Sequence, residues 1–259
     1  MGVNLAAGPV AGPTSLAGSD QILPVHRSIR EYRPDPIPAE LLVRLLTTAQ
    51  HAPTDATAQM ATLIRVADPE LRARIARLSG EQDHILTAPE FFVVCADLFR
   101  LQTILEANGL TAGRYPASGL HFATVDAALV AQRLVDAAEI CGLGICCIGG
   151  ILDAIEEVVE LLVLPSGVVP LFGLCLGWPA EEPQERPRVA LDSMVYTDRY
   201  GNYAGPSIEQ DVATMAAITS RGDWLNVLAT YFGSGGVMEE REWPWRRVLA
   251  RQGFASWSE

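Results

Sequence analysis

Residues 161–180 carry no charged side chain, twenty positions in a row. A run of that length is what a membrane-spanning helix needs. Here Pro165, Pro170 and Pro179, with Gly167, Gly173 and Gly177, cut it into shorter pieces. The surviving piece, 168–176, reads as a strand that is apolar on both faces. Such strands belong to sheets covered on both sides. Phe91-Phe92-Val93-Val94-Cys95-Ala96 is a second run of this kind, and 145–148 a shorter third. A helix over 120–141 is rich in Ala, Val and Leu nearly all round, with Asp126, Arg133, Asp136 and Glu139 as its charges. A helix so apolar lies in the core or in a subunit interface.

The rest of the pattern is amphipathic. Leu41, Leu42, Leu45, Leu46 and Ala49 share one face of a helix over 39–51, and Pro36 and Pro38 bar an earlier start. A polar loop, 52–59, leads to a strand over 62–66. A helix follows over 69–78, with Pro69 in its first turn. Residues 100–119 look irregular. Gly142-Leu143-Gly144 stops the long helix. A helix is expected over 153–162, an extended segment over 191–196 and a helix over 208–220. Residues 1–21 are rich in Ala, Gly, Pro and Ser and read as a loosely attached tail. Helices and strands intermix without a repeat. An α+β domain over 22–200 with an extension over 201–259 is the expected organisation.

Composition excludes several functions. The 259 residues have a net charge of −12, which opposes a nucleic-acid partner held through phosphates. All 19 basic residues are arginine. There is therefore no Schiff-base lysine, pyridoxal anchor or Walker lysine. Cys95, Cys141, Cys146, Cys147 and Cys175 sit in apolar runs without a CxxC pair and read as buried, reduced thiols. The four histidines lack metal-ligand spacing, so no metal is expected. No basic region precedes His26, and a secretory signal is not expected. A cytoplasmic protein without membrane association is the reading.

Candidate chemistry is sparse. No GxSxG or GxGxxG motif occurs, and position 147, where a third glycine would complete the latter, is cysteine. A chain so poor in acids, bases and nucleophiles takes its chemistry from a cofactor. Two places suit a phosphate. In His26-Arg27-Ser28-Ile29-Arg30 two arginines stand three apart, which on a helical turn is one face, with a hydroxyl and an imidazole alongside. Arg186-Pro187-Arg188 offers a second, rigid pair of charges. Each can equally be a solvated charge cluster.

The opening segment with the later Pro36-Ile37-Pro38, Ile148-Gly149-Gly150, and the run Leu171 to Ala180 followed by Arg186-Pro187-Arg188, resembles the flavin-dependent nitroreductase family over residues 22–200. The likeness is greatest to its oxygen-insensitive, NADPH-dependent major nitroreductase and flavin reductase branch. The resemblance implies a central mixed, mainly antiparallel sheet flanked by helices and a domain-interlocked homodimer. It implies FMN as cofactor, with NADPH or NADH as donor in a ping-pong reaction. FMN would carry the chemistry, without a catalytic side chain. It carries the flavin contacts onto His26, Arg27, Ser28, Ile29 and Arg30; Thr54, Asp55 and Ala56; Gln82; Cys147, Ile148, Gly149 and Gly150; and Arg186 and Arg188. Nitroaromatics, quinones or free flavins would accept the electrons. A specialised flavin reductase, an oxidoreductase of secondary metabolites or a non-catalytic flavin-binding protein are the alternatives. Two departures matter. Asp55 adds a negative charge where relatives have serine or asparagine, and a charge there would lower the flavin potential. Arg221 alone stands where that branch clusters arginines for the NADPH 2′-phosphate.

Overall fold

The computed structural model describes residues 23–216 and 223–254. The tail expected over 1–21 and Arg221 lie outside them. The chain divides into two compact units. The larger holds residues 26–183 and 241–254. The smaller holds residues 23–25, 184–216 and 223–240.

In the larger unit α1 (Ala39–Gln50) leads through a 3-10 turn to β1 (Ala61–Arg65), α2 (Pro69–Leu78), α3 (His84–Thr87) and β2 (Glu90–Asp97). Then come α4 (Phe99–Ala107), α5 (Pro116–Ile140), β3 (Gly144–Ile148), α6 (Ile155–Leu161) and β4 (Val168–Gly177). The strands form one sheet in the order β1-β2-β4-β3, every pairing antiparallel. A parallel element enters through a single bridge between Ser28 and Ile145. All eight residues of β2 are buried, as its unbroken apolar run requires. Phe91, Val93 and Cys95 face a core with Ile75, Ile85 and Ile151 from α2, α3 and the turn after β3. Phe92 and Val94 face α1 and α5, against Leu42, Leu45, Ala127 and Leu134. Deleting either phenylalanine side chain would cost about 3–5 kcal/mol.

The region read as irregular holds α4 and the first turns of α5. No residue of α4 is buried, so it carries no apolar stripe to read. Of the five thiols, Cys95, Cys146 and Cys175 are buried, while Cys141 and Cys147 are exposed, against expectation. Cys147 alternates with the buried Cys146 and Ile148 on β3, whereas Cys141 caps the exposed C-terminal end of α5 beside Ile140. No helix among the described residues is long and apolar enough to cross a membrane.

In the smaller unit the segment read as extended is a short helix, α7 (Leu191–Met194). It precedes α8 (Pro206–Met215) and α9 (Trp224–Phe232); α10 (Val237–Arg251) begins here, and its larger part belongs to the other unit. The buried Asp211 of α8 organises this unit. It accepts the Ala190 N–H (2.9 Å) and the Tyr203 hydroxyl (2.9 Å). The Ala190 N–H, foremost, holds this carboxyl below the usual aspartate range. A lowered native pKa stabilises above the unfolded value of about 3.9, and the stability is lost as pH falls through the lowered value. Hydrogen exchange of the Ala190 amide should accelerate over that acid range in the wild type and be fast throughout in Asp211→Ala.

Gly144 tests how the larger unit is closed. A Cβ there would stand 2.4 Å from Ile29 Cγ1. Gly144→Ala is expected to destabilise by about 1–3 kcal/mol through overpacking, seen as a lower melting temperature.

Candidate functional site

Residues 26–33 lie outside any helix, and Ser28 pairs with Ile145 on the free edge of β3. The Ile29 N–H donates to the Ile145 carbonyl (2.8 Å). Further on, Arg33 N–H donates to Trp178 O (2.9 Å) and Ala180 N–H to Glu31 O (2.8 Å), tying the segment to the end of β4. The helical face expected for Arg27 and Arg30 is therefore not formed. In an extended chain, positions three apart point to opposite sides. The reason is Ile29, which is buried against Gly144 and must alternate with its neighbours. Arg27 is half-buried and Arg30 exposed.

The segment nevertheless gathers anions. Glu181 Oε1 accepts the backbone N–H groups of both Arg30 (2.5 Å) and Glu31 (3.1 Å). Arg27 Nη1 meets Glu182 Oε1 at 3.3 Å. A carboxylate oxygen on paired N–H groups marks a place where an anion can be held. His26 Nδ1 lies 2.7 Å from Glu139 Oε1 of α5, and its Nε2 3.4 Å from Ser28 Oγ. Glu139 is thus a site residue that the sequence did not single out. Cys147 of β3 is solvent-accessible, yet its thiol is desolvated enough to be pushed up to about 11, with Cys146 and Glu139 adding to the rise. Ile148 is buried, so only its backbone is available to a ligand.

The C-terminus of α2 builds the next wall. Gly80 and Glu81 turn the chain with positive φ, and Gln82 Nε2 donates to Ser79 O (2.5 Å). A Cβ on Gly150 would lie 2.4 Å from both of these atoms. Gly150 therefore brings the turn after β3 against Gln82, a packing role beside any approach to a ring. Gly149 is different, since an added Cβ meets nothing within 4 Å. Among the described residues, Ser79 Oγ and His84 Nε2 are buried without a hydrogen-bond partner. Burial, then the Arg30 charge, hold His84 below the usual imidazole range.

Thr54, Asp55 and Ala56 lie on a loop tied to the middle of α5. Thr54 Oγ1 donates to Asp126 Oδ2 (2.5 Å) and Asp55 N–H to Asp126 Oδ1 (3.0 Å). The hydroxyl proton of Thr54 is thus committed to Asp126, and Asp55 and Ala56 are exposed. A cavity of about 470 Å³ lies beside this loop between α1, β1 and α5, walled by Val43, Leu46, Gln59, Leu63, Arg100 and Val130.

Arg186 and Arg188 belong to the smaller unit. There Arg188 Nη1 donates to the carbonyls of Arg186 (3.0 Å) and Pro187 (3.1 Å). Among the described residues no group of three or more His, Cys, Asp or Glu side chains is placed to hold a metal. The donor set in the larger unit suits a phosphorylated, ring-bearing ligand. It offers paired N–H groups and a guanidinium for the phosphate, open space at Gly149, and two buried polar atoms with unused capacity.

Known proteins share this architecture. The chain is 40% identical over 182 residues to an oxygen-insensitive NADPH nitroreductase of Salmonella typhimurium, covering 70% of this chain and 73% of that protein. It is 38% identical over 177 residues to an FMN reductase (NADPH) of Bacillus subtilis, covering 68% and 71%. Among solved structures, the hypothetical oxidoreductase YcnD from Bacillus subtilis superposes with a TM-score of 0.82 at 29% identity, over 90% of this chain and 96% of that one. The NADPH:FMN oxidoreductase from Vibrio harveyi complexed with NAD+ gives 0.78 at 30%, over 88% and 95%. The family model described as "Nitroreductase family" matches residues 25–178, and this chain, with its antiparallel sheet and its anion-gathering segment on the edge of β3, belongs to that family.

Proposed function

We propose that this chain is an FMN-dependent oxidoreductase that oxidises NADPH, with NADH as second donor, and reduces nitroaromatics, quinones or flavins in a ping-pong cycle. The observation that carries the reading is the Glu181 carboxylate seated on the Arg30 and Glu31 N–H groups, with the neighbouring Glu182 on the guanidinium of Arg27. The names of the relatives, an NADPH nitroreductase and an FMN reductase, support it. When bound, FMN supplies the two-electron chemistry, hydride acceptance from the donor and electron delivery to the acceptor.

The protein's own residues bind and orient. In place of Glu181 and Glu182, the Arg30 and Glu31 N–H groups and the Arg27 guanidinium would hold the phosphate, joined by Ser28. Arg186 and Arg188 carry two further charges suited to a phosphate. Glu139 holds the Nδ1 side of His26, leaving Nε2 for the phosphate side. Gln82 presents its remaining amide groups, Gly149 and Gly150 bring backbone close, and Cys147 and Ile148 line the edge through their backbone. Arg221 reads the 2′-phosphate of the donor. Residues 22–200 are assigned as the cofactor domain and 201–259 as its extension.

The partner is a second copy of the chain. Phe122, Val125 and Leu129 of α5 are exposed at helical spacing, as is Ile140 further along. Thirteen helical residues, about 20 Å, separate Asp126 from Glu139, further than the ribityl arm of one FMN extends. A homodimer answers this by bringing the 54–56 loop of one copy to the 26–30 segment of the other. Five free cysteines agree with a cytoplasmic location.

Anaerobic mixing of the FMN-loaded protein with NADPH, and separately with NADH, should bleach the flavin band near 450 nm rapidly with NADPH. A chain that gains no flavin absorbance after incubation with FMN would end this reading. Glu139→Gln should weaken FMN binding about tenfold by loosening His26, measured by flavin fluorescence titration. Leu129→Glu should shift the protein to monomer on analytical ultracentrifugation and lower flavin content with it; an unchanged dimer places the interface elsewhere.

A further inference from the structure

The segment 54–60 is built against its own backbone preference. Ala56, Thr57 and Gln59 have φ of 46°, 58° and 52°, three non-glycine residues in the left-handed region within four positions. Such residues persist where surrounding contacts hold them. Here one carboxylate does so. Asp126 is 1% exposed on the inward face of α5, between Ala123 and Ala127. Its Oδ1 accepts the Asp55 N–H, and its Oδ2 accepts both the Thr54 hydroxyl and the Met60 N–H (2.9 Å). Thr54 Oγ1 in turn accepts the Gln59 N–H (2.7 Å). Both ends of the loop are therefore gathered at one point, while Asp55 and Ala56 between them face outward.

We infer that Asp126 is the positioning residue of the flavin loop: its buried carboxylate holds residues 54–60 in the left-handed path that presents the backbone of Asp55 and Ala56 to the cofactor. The inference rests on the FMN reading of the site. It assigns Thr54 a different part from direct flavin contact, as the link that relays Asp126 to Gln59. It also explains why the residue is aspartate. All three groups facing it are donors, and only an ionised carboxylate is acceptor on both oxygens. An asparagine amide would set N–H against N–H.

The test is FMN titration by fluorescence quenching, with the flavin midpoint potential measured at saturating FMN. The proteins are wild type, Asp126→Asn, Thr54→Val, Thr54→Ser and a core control, Ile75→Val, on α2. Asp126→Asn and Thr54→Val should each raise the Kd roughly ten- to a hundredfold and shift the potential. Thr54→Ser, which keeps the hydroxyl, should restore most of the affinity. Ile75→Val, lowering the melting temperature, should leave both quantities near wild type. Thr54→Val leaves α5 intact and carries the test if Asp126→Asn does not fold. Wild-type Kd and potential in both loop variants would overturn the assignment, as would an equal loss in Ile75→Val. A wild-type chain that takes up no FMN at all overturns the reading of the site, and the assignment falls with it.

Discussion

The antiparallel pair of β2 and β4 sets the conditions for everything around it. β2 is buried along its whole length and β4 nearly so, and a sheet with no wet face needs a layer on each side. On one side α2, α3 and the turn after β3 fill the space with isoleucines. On the other, α5 approaches closely because its inward positions are Ala123, Ala127, Ala131 and Ala138. Small side chains let the helix pack against the strands along this one face, while its other face stays exposed. The edge of β3 remains, and residues 28–29 close it, which is how an arginine-bearing segment comes to lie beside the sheet.

What could be read beforehand followed the strength of the apolar signal. β2 and β4 announce themselves because burial on both faces leaves almost no polar residue in them, and α5 does so by its length and its Ala, Val and Leu content. α4 does not, since a helix with no buried residue lacks the periodicity that reveals one. The 26–30 segment drew attention through its arginines, but its conformation was not legible. The arginine spacing suggests a helical face, whereas the decisive residue is Ile29, whose need for burial beside Gly144 imposes an extended path. Glu139 and Asp126 were visible only as scarce charges on an apolar helix. The signal that could have found Asp126 is its place between inward alanines, where an acid needs donors from elsewhere in the chain.

The acids in this arginine-only chain do more than keep it soluble. Glu181 occupies backbone donors, Glu139 orients an imidazole, and Asp126 gathers a loop. In each case a carboxylate meets groups that would otherwise be left without an acceptor. Glu181 and Glu182, at the edge of β3, are on the more exposed side, where another anion can replace them. The one at the loop is buried and permanent. This division matches a site in which one end exchanges partners and the other keeps its shape.

Cys147 sits on the open side of β3 beside this exchange, and its thiol is held protonated well above neutral pH. Sulfur chemistry runs through the thiolate, so a thiol pushed upward is a slow nucleophile toward both peroxides and electrophiles. Desolvation, foremost, thus makes Cys147 a less ready nucleophile than an ordinary accessible cysteine, although it stands on the open side of β3.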